Sequence, residues 1–265
     1  MKIYELHYSK TNTYLIKGDS GVLLFDTGWA GTFPEFCKAM GETGIAVQDI
    51  NFILISHFHP DHMGIAQNIA DEGAVILVAA PQKEYVHSSD AVFAKEKDSE
   101  FIPIDDVNIK VFDVDKGSEI LKDMGINGKL IRTPGHSDDS ISLVLDDGSA
   151  FVGDLNPLYE LGLHKGTQIE DSWNKLLSLD LKKIYYGHAK TAEINSAKKE
   201  VPDNKDLYDL VSKIMKMTDK GYDVARIAKK TGADNEFIQD VLRMYLTHQN
   251  VGVQGILDRI EIKNR

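Results

Sequence analysis

The chain has 265 residues, 41 Asp+Glu against 30 Lys+Arg, and a formal net charge of −11; that length is one large domain, or one domain with a small appendage, and suffices to bury a sizeable core. Hydrophobic content of 42% and charged content of 27% exclude a disordered or fibrous chain, and the acidic balance disfavours a nonspecific polyanion binder. A single cysteine, Cys37, excludes a disulfide framework or a multi-cysteine metal site, while the polar start MKIYELHYSK and the short apolar runs lead us to expect a cytoplasmic protein without membrane contact.

In chain order, Ile3 to Tyr8 alternates apolar and polar residues as a strand does. Thr13 to Ile16 and Val22 to Phe25 read as two more strands, joined by the turn Gly18-Asp19-Ser20-Gly21. Thr32 as N-cap and Pro34 in the first turn predict a helix from Phe33 to Gly41. Asn51 to Ile55 reads as a buried strand, His62 to Glu72 as a helix closed by Gly73, and Val75 to Val78 as the next strand. Helix plus loop is expected over Pro81 to Asp106. Short strands follow at Ile109–Phe112, Gly128–Arg132, Ile141–Leu145 and Ala150–Val152, with a hairpin turn at Asp146-Asp147-Gly148. Asp171 to Leu179 reads as a helix and Lys183 to Tyr186 as the final strand. Beyond Pro202 the apolar pattern is helical. Residues 205–265 carry 11 Lys+Arg against 9 Asp+Glu, leaving −13 on the rest. We therefore expect two domains, 1–200 and 201–265.

Ser56-His57-Phe58-His59-Pro60-Asp61-His62 follows a predicted strand and opens a helix. Three imidazoles and a carboxylate within six residues suit a borderline-soft divalent metal. His57 and His59 fall on one side of an extended loop, and Asp61 and His62 lie past the bend at Pro60. Three later fragments place a ligand-type residue after glycine, just beyond a predicted strand: Gly135-His136, Gly153-Asp154 and Gly187-His188. Glycine there lets backbone come close to a metal.

The His-x-His-x-Asp-His signature, the order of these fragments and Asp26-Thr27-Gly28 resemble the metallo-β-lactamase superfamily of metal-dependent hydrolases over roughly residues 3–195. The resemblance implies an α/β fold of the α+β kind, a four-layer αβ/βα sandwich of two mixed sheets with helices outside, plus a small all-helical C-terminal domain. It implies two divalent ions per chain, zinc foremost, with iron or manganese as alternatives. His57, His59 and His136 would hold the first, Asp61, His62 and His188 the second, and Asp154 would bridge them. Asp26 is expected beside the site, bonded to a metal ligand or its loop. Asp-Thr-Gly also occurs in aspartic proteases, but a partner motif is missing from the sequence.

Such a site implies a metal-bridging hydroxide acting on a small ester, thioester, lactone or phosphoester, with Asp61 orienting it and taking its proton. A mononuclear-iron sulfur dioxygenase is an alternative. Substrate choice is expected in the loop after Asp154, with Tyr159 and His164 as contacts. The tail segment Asp223–Arg243 resembles a helix–turn–helix, but Glu236 and Asp240 against Arg243 alone suit solvent or protein better than phosphate. Packing, dimerisation or pocket covering is the expected role. A nuclease or regulator that binds nucleic acid through this tail is the alternative, and a homodimer is allowed.

Overall fold

A computed structural model describes residues 1–96, 99–194, 204–247 and 256. It divides into one unit of Met1–Leu155 with Asn174–Ile194, and a second of Asn156–Trp173 with the described tail. The expected boundary near residue 200 lies outside the described residues.

In the first unit, β1 (Lys2–Leu6), β2 (Thr13–Lys17) and β3 (Val22–Phe25) pair antiparallel, and β4 (Phe52–Leu54), β5 (Val75–Ala79) and β6 (Ile109–Phe112) continue the sheet in parallel. A second sheet is built from β7 (Gly128–Arg132), β8 (Ile141–Leu145), β9 (Ser149–Phe151), β10 (Lys183–Tyr185) and β11 (Ala192–Glu193), in the order β11-β10-β9-β8-β7. Here β9 and β10 run parallel and the other pairs antiparallel. Both sheets are mixed, as expected, with helices outside them. Parallel neighbours need crossovers. α1 (Phe33–Thr43) joins β3 to β4, and α2 (Pro60–Met63) with α3 (Ala66–Asp71) joins β4 to β5. α4 (Asp90–Phe93), α5 (Gly117–Asp123) and α6 (Gln168–Leu177) follow.

Successive strand residues point to opposite faces. Leu15, Leu24, Ile53, Ile76 and Val78 share a core with Phe36 and Met40 of α1 and Ile69 of α3. Tyr14, Ile16, Leu23, Phe25, Leu54 and Leu77 share another with Leu130, Leu143, Leu145 and Phe151 of the second sheet. Both faces of the first sheet are thus apolar, and each buried Leu, Ile or Phe contributes roughly 1.5–3 kcal/mol.

Several elements differ from expectation. Thr32 precedes α1, but its hydroxyl donates to the Trp29 carbonyl at 2.7 Å rather than capping the helix. α1 runs on to Thr43 and ends at Gly44 in the left-handed conformation. The helix expected over 62–72 is broken into α2 and α3 at Gly64-Ile65. A Cβ on Gly64 would stand 2.3 Å from the Ala30 nitrogen, so the loop after β3 crosses where only glycine leaves room. β10 is not the last strand: β11, two residues long, pairs with it and is too short to show a period.

In the second unit, α7 (Asn204–Asp219), α8 (Val224–Thr231) and α9 (Asn235–Thr247) bury Val211, Ile214, Ile227, Phe237, Ile238 and Val241 together. The Asp223 carboxylate accepts the Arg226 N–H at 2.8 Å, Gly232 ends α8 at φ 73°, and the Asp234 carboxylate accepts the Glu236 N–H at 2.8 Å. The 3-10 turn Leu158–Leu163 packs against α7. Leu246 of α9 is 68% exposed. Beyond Thr247 only Ile256 is described, and it is buried in the same cluster. Among the described residues no helix is long and apolar enough to cross a membrane.

Candidate metal centre

The candidate ligands all leave the ends of strands in the first unit. β4 runs into Ser56 to His59; His59 then stands at the N-cap of α2, and Pro60 starts the turn that carries Asp61 and His62. His136 lies past β7, Asp154 past β9 and His188 past β10. The Gly187 N–H donates to the Gly153 carbonyl at 2.7 Å, which ties two of these loops together. A Cβ on Gly187 would stand 2.4 Å from Asp154 Oδ1 and 2.7 Å from His62 Cε1. The glycine before His188 thus makes room for two other candidate ligands.

The structure brings all seven residues together. His59 Nδ1 lies 3.0 Å from His57 Nε2 and 3.2 Å from His136 Nε2. His188 Nε2 lies 2.9 Å from Asp61 Oδ2, and His62 Nε2 lies 3.9 Å from that same oxygen. Asp154 stands between the two sets. Its Oδ1 is 3.3 Å from His62 Nε2, and its Oδ2 is 3.4 Å from His188 Nε2 and 3.7 Å from His136 Nε2. Donor atoms of His57, His59 and His136, of His57, His62 and Asp154, and of Asp61, His62 and His188 converge closely enough to share an ion.

The donor set fits a metal. Nitrogens bound at about 2.0–2.1 Å to a tetrahedral ion stand roughly 3.3–3.4 Å apart, close to the spacings here. His62 Nε2 and Asp154 Oδ1 are buried and make no hydrogen bond, although they lie 3.3 Å apart. Buried polar atoms left in this way are costly, and a cation between them removes the cost.

Electrostatics divides the imidazoles. Burial holds the His57 ring below its ordinary pKa, helped by the charge of His62. Burial also lowers His136, against the pull of Asp154. Burial would lower His62 too, but the Asp154 and Asp26 carboxylates outweigh it and raise the ring well above the usual value. In His188 the hydrogen bond with Asp61 likewise overcomes burial and raises the pKa. For Asp61 burial acts upward but loses to the His188 hydrogen bond and the His62 charge, so the carboxyl titrates below the usual range. Asp154 is lowered too, as the His62 charge outweighs burial.

Asp26 sits beside the centre, as expected. Fully buried and in the left-handed region at φ 59°, it accepts the Ser56 N–H at 2.6 Å and the Ser56 hydroxyl at 2.8 Å, and lies 2.9 Å from His62 Nδ1. Sequence reasoning overlooked Ser56, whose Oγ is also 3.0 Å from His57 Nδ1, and Gln82, whose amide donates to the Ile55 and Ser56 carbonyls. Ser56 directly precedes the histidine run, which was a usable signal; Gln82 had none.

Tyr159 and His164 belong to the second unit. The Tyr159 side chain lies outside the described residues, and His164 is buried, its carbonyl accepting the Thr167 hydroxyl. Cys37 is half-buried, and burial raises its thiol.

Two mixed sheets with helices outside carry a His/Asp donor set at their strand ends, a fold and site of the metal-binding kind. A family model described as the Metallo-beta-lactamase superfamily matches residues 9–188, and the chain belongs to that superfamily. It is 31% identical over 186 residues to a beta-lactamase-like protein 2 homolog of Caenorhabditis elegans, which covers 67% of this chain and 55% of that protein. It is 30% identical over 163 residues to a hydroxyacylglutathione hydrolase of Rhodopseudomonas palustris (strain BisB5), covering 57% of this chain and 54% of that protein. The chain thus spans little more than half the length of these relatives. TTHA1623, solved in a di-iron-bound form, shares the fold at a TM-score of 0.57 with 20% identity, over 76% of this chain and 99% of that one.

Proposed function

We propose that this chain is a dinuclear metal-dependent hydrolase of a small ester-type substrate, with thioesters foremost and lactones and phosphoesters as the remaining classes. The observation that carries the reading is Asp154, whose Oδ2 lies 3.7 Å from His136 of one set and 3.4 Å from His188 of the other, with Oδ1 3.3 Å from His62. His57, His59 and His136 would hold one ion, Asp61, His62 and His188 the other, with Asp154 placed to serve both. Divalent ions held there supply, when bound, Lewis acidity toward the scissile oxygen and a lowered pKa for a water. The chain's own residues do the rest. Asp61, held ionised below the usual carboxylate range and partly open to solvent, orients the water and takes its proton. His188 steadies Asp61 Oδ2 from 2.9 Å. The hydroxyacylglutathione hydrolase relative supports a thioester, and the di-iron form of TTHA1623 keeps iron beside zinc as the native metal. We place substrate selection in 155–166, the segment that leaves Asp154, with Tyr159 and His164 in it.

Metal analysis of the purified protein, combined with a panel of thioesters, lactones and phosphodiesters, tests this reading. About two ions per chain and turnover of one class are expected. A single tightly bound ion together with oxidation of a persulfide would replace it with the dioxygenase reading.

A further inference from the structure

Asp139 has no place in the ligand set, yet its carboxyl is 1% exposed and spans two of the loops that carry ligands. Its Oδ2 accepts the backbone N–H of Phe58 at 2.7 Å, across 81 positions of sequence. Its Oδ1 accepts the hydroxyl of Ser137, the residue after His136. Phe58 is the residue between His57 and His59. Its ring is buried in the first core, and its carbonyl accepts the Ser89 hydroxyl at 2.6 Å. The backbone at Phe58 is therefore held from three directions, and the bond from Asp139 is the one that leads to the His136 loop. Nearby, the Ile141 N–H donates to the Ser56 carbonyl at 2.9 Å, bringing the start of β8 to the same stretch.

We infer that Asp139 is a positioning residue that sets the spacing of His57, His59 and His136 as one metal-binding set, by tying the loop of the first two to the loop of the third. This rests on the reading that those three hold one ion. Partners that orient ligands act through the ligands' placement, and their loss typically weakens metal binding 10–100-fold. Asp139 bonds Phe58 and Ser137 and none of Asp61, His62 and His188, and His62 of that second set is held by Asp26 instead. A general loss of fold stability would weaken both sets alike; a positioning role weakens one.

Zinc titration of the full-length chain against a competing chelator, resolving two binding steps, makes the test. His136→Ala identifies which step belongs to the three-histidine set. Asp139→Ala should weaken that same step by about 10–100-fold and leave the other step within about threefold of wild type. Asp139→Asn keeps an oxygen for the Phe58 N–H and should restore most of the affinity. Ser137→Ala, a milder change that releases only the His136 side, should weaken the same step by about three- to tenfold and serves if Asp139→Ala does not fold. Both steps unchanged, or both weakened equally, with His136→Ala losing one step, would overturn the role of Asp139 alone. Both steps surviving His136→Ala would overturn the ligand reading, and the positioning role with it.

Discussion

The Asp26 carboxylate lies 2.9 Å from His62 Nδ1 and, through the same oxygen, 2.8 Å from the Ser56 hydroxyl, which in turn lies 3.0 Å from His57 Nδ1. One buried carboxylate thus orients one imidazole from each proposed ion's set. Replacing it with alanine leaves the Ser56 N–H and His62 Nδ1 buried without their acceptor, at about 1–3 kcal/mol each. Asp26→Ala should lower the melting temperature of the metal-free protein and weaken zinc binding at both steps by about 10–100-fold. Calorimetric melts and chelator competition check this. A variant with wild-type affinity at both steps would show that neither ring depends on Asp26.

Asp154 faces both sets, so its loss should differ from that of any single histidine. Asp154→Ala should reduce bound metal from about two ions to one or fewer and cut turnover by at least about 100-fold. His57→Ala and His188→Ala should each lower activity while removing different ions, which is read by elemental analysis after dialysis. Identical metal content in all three variants and wild type would refute the ligand map.

Much of this centre is legible in the sequence because its densest part is local. His57 to His62 lie within six positions, and the glycines before His136, Asp154 and His188 mark strand ends. The assignment of Asp154 between two ions was implied by resemblance and not by spacing. What supports the ligands is hidden, since Asp139 and Gln82 meet the 55–58 backbone across 26 to 81 positions. The break between α2 and α3 was hidden for the same reason, because the loop after β3 presses on Gly64 and nothing in the helical periodicity records it.

His62 and His188 hold protons more tightly than a free imidazole, because carboxylates face them. The metal-free site therefore keeps protons there to higher pH than free imidazoles would, and an ion must displace them. The sign follows directly: apparent zinc affinity should rise with pH through and above the ordinary imidazole range, and binding should release protons at pH 7. His57 and His136, held below that range by burial, should release almost none. Calorimetry in buffers of different ionisation heat measures the number. Proton uptake, or no exchange, would contradict the raised values.

Gly187 offers a test by addition. A Cβ there would fall within 2.4 Å of Asp154 Oδ1 and 2.7 Å of His62 Cε1. Gly187→Ala must move one of those two groups, so metal affinity should fall by tenfold or more while far-ultraviolet circular dichroism stays unchanged. Wild-type affinity in this variant would mean that the loop before His188 has slack that the structure does not show.

The tail is the remaining question of design. Its three helices bury Val211, Ile214, Ile227, Phe237, Ile238 and Val241, but their unit also contains Asn156–Trp173, and the turn Leu158–Leu163 packs on α7. A segment of about 60 residues without a disulfide or a metal builds only a small core. Within this unit, 156–173 adds the turn that meets α7. Deleting 203–265 should therefore expose that stretch, lower solubility and make 156–173 sensitive to protease, while the seven candidate ligands, all in the other unit, keep their metal. The isolated 204–265 peptide should show little helix by circular dichroism. Glu236 and Asp240 on α9, with Arg243 occupied by Asp240 at 2.7 Å, give it little to offer phosphate. A soluble, protease-resistant truncation, together with an isolated tail that folds and binds duplex DNA in a salt-dependent manner, would instead make the tail an independent nucleic-acid module.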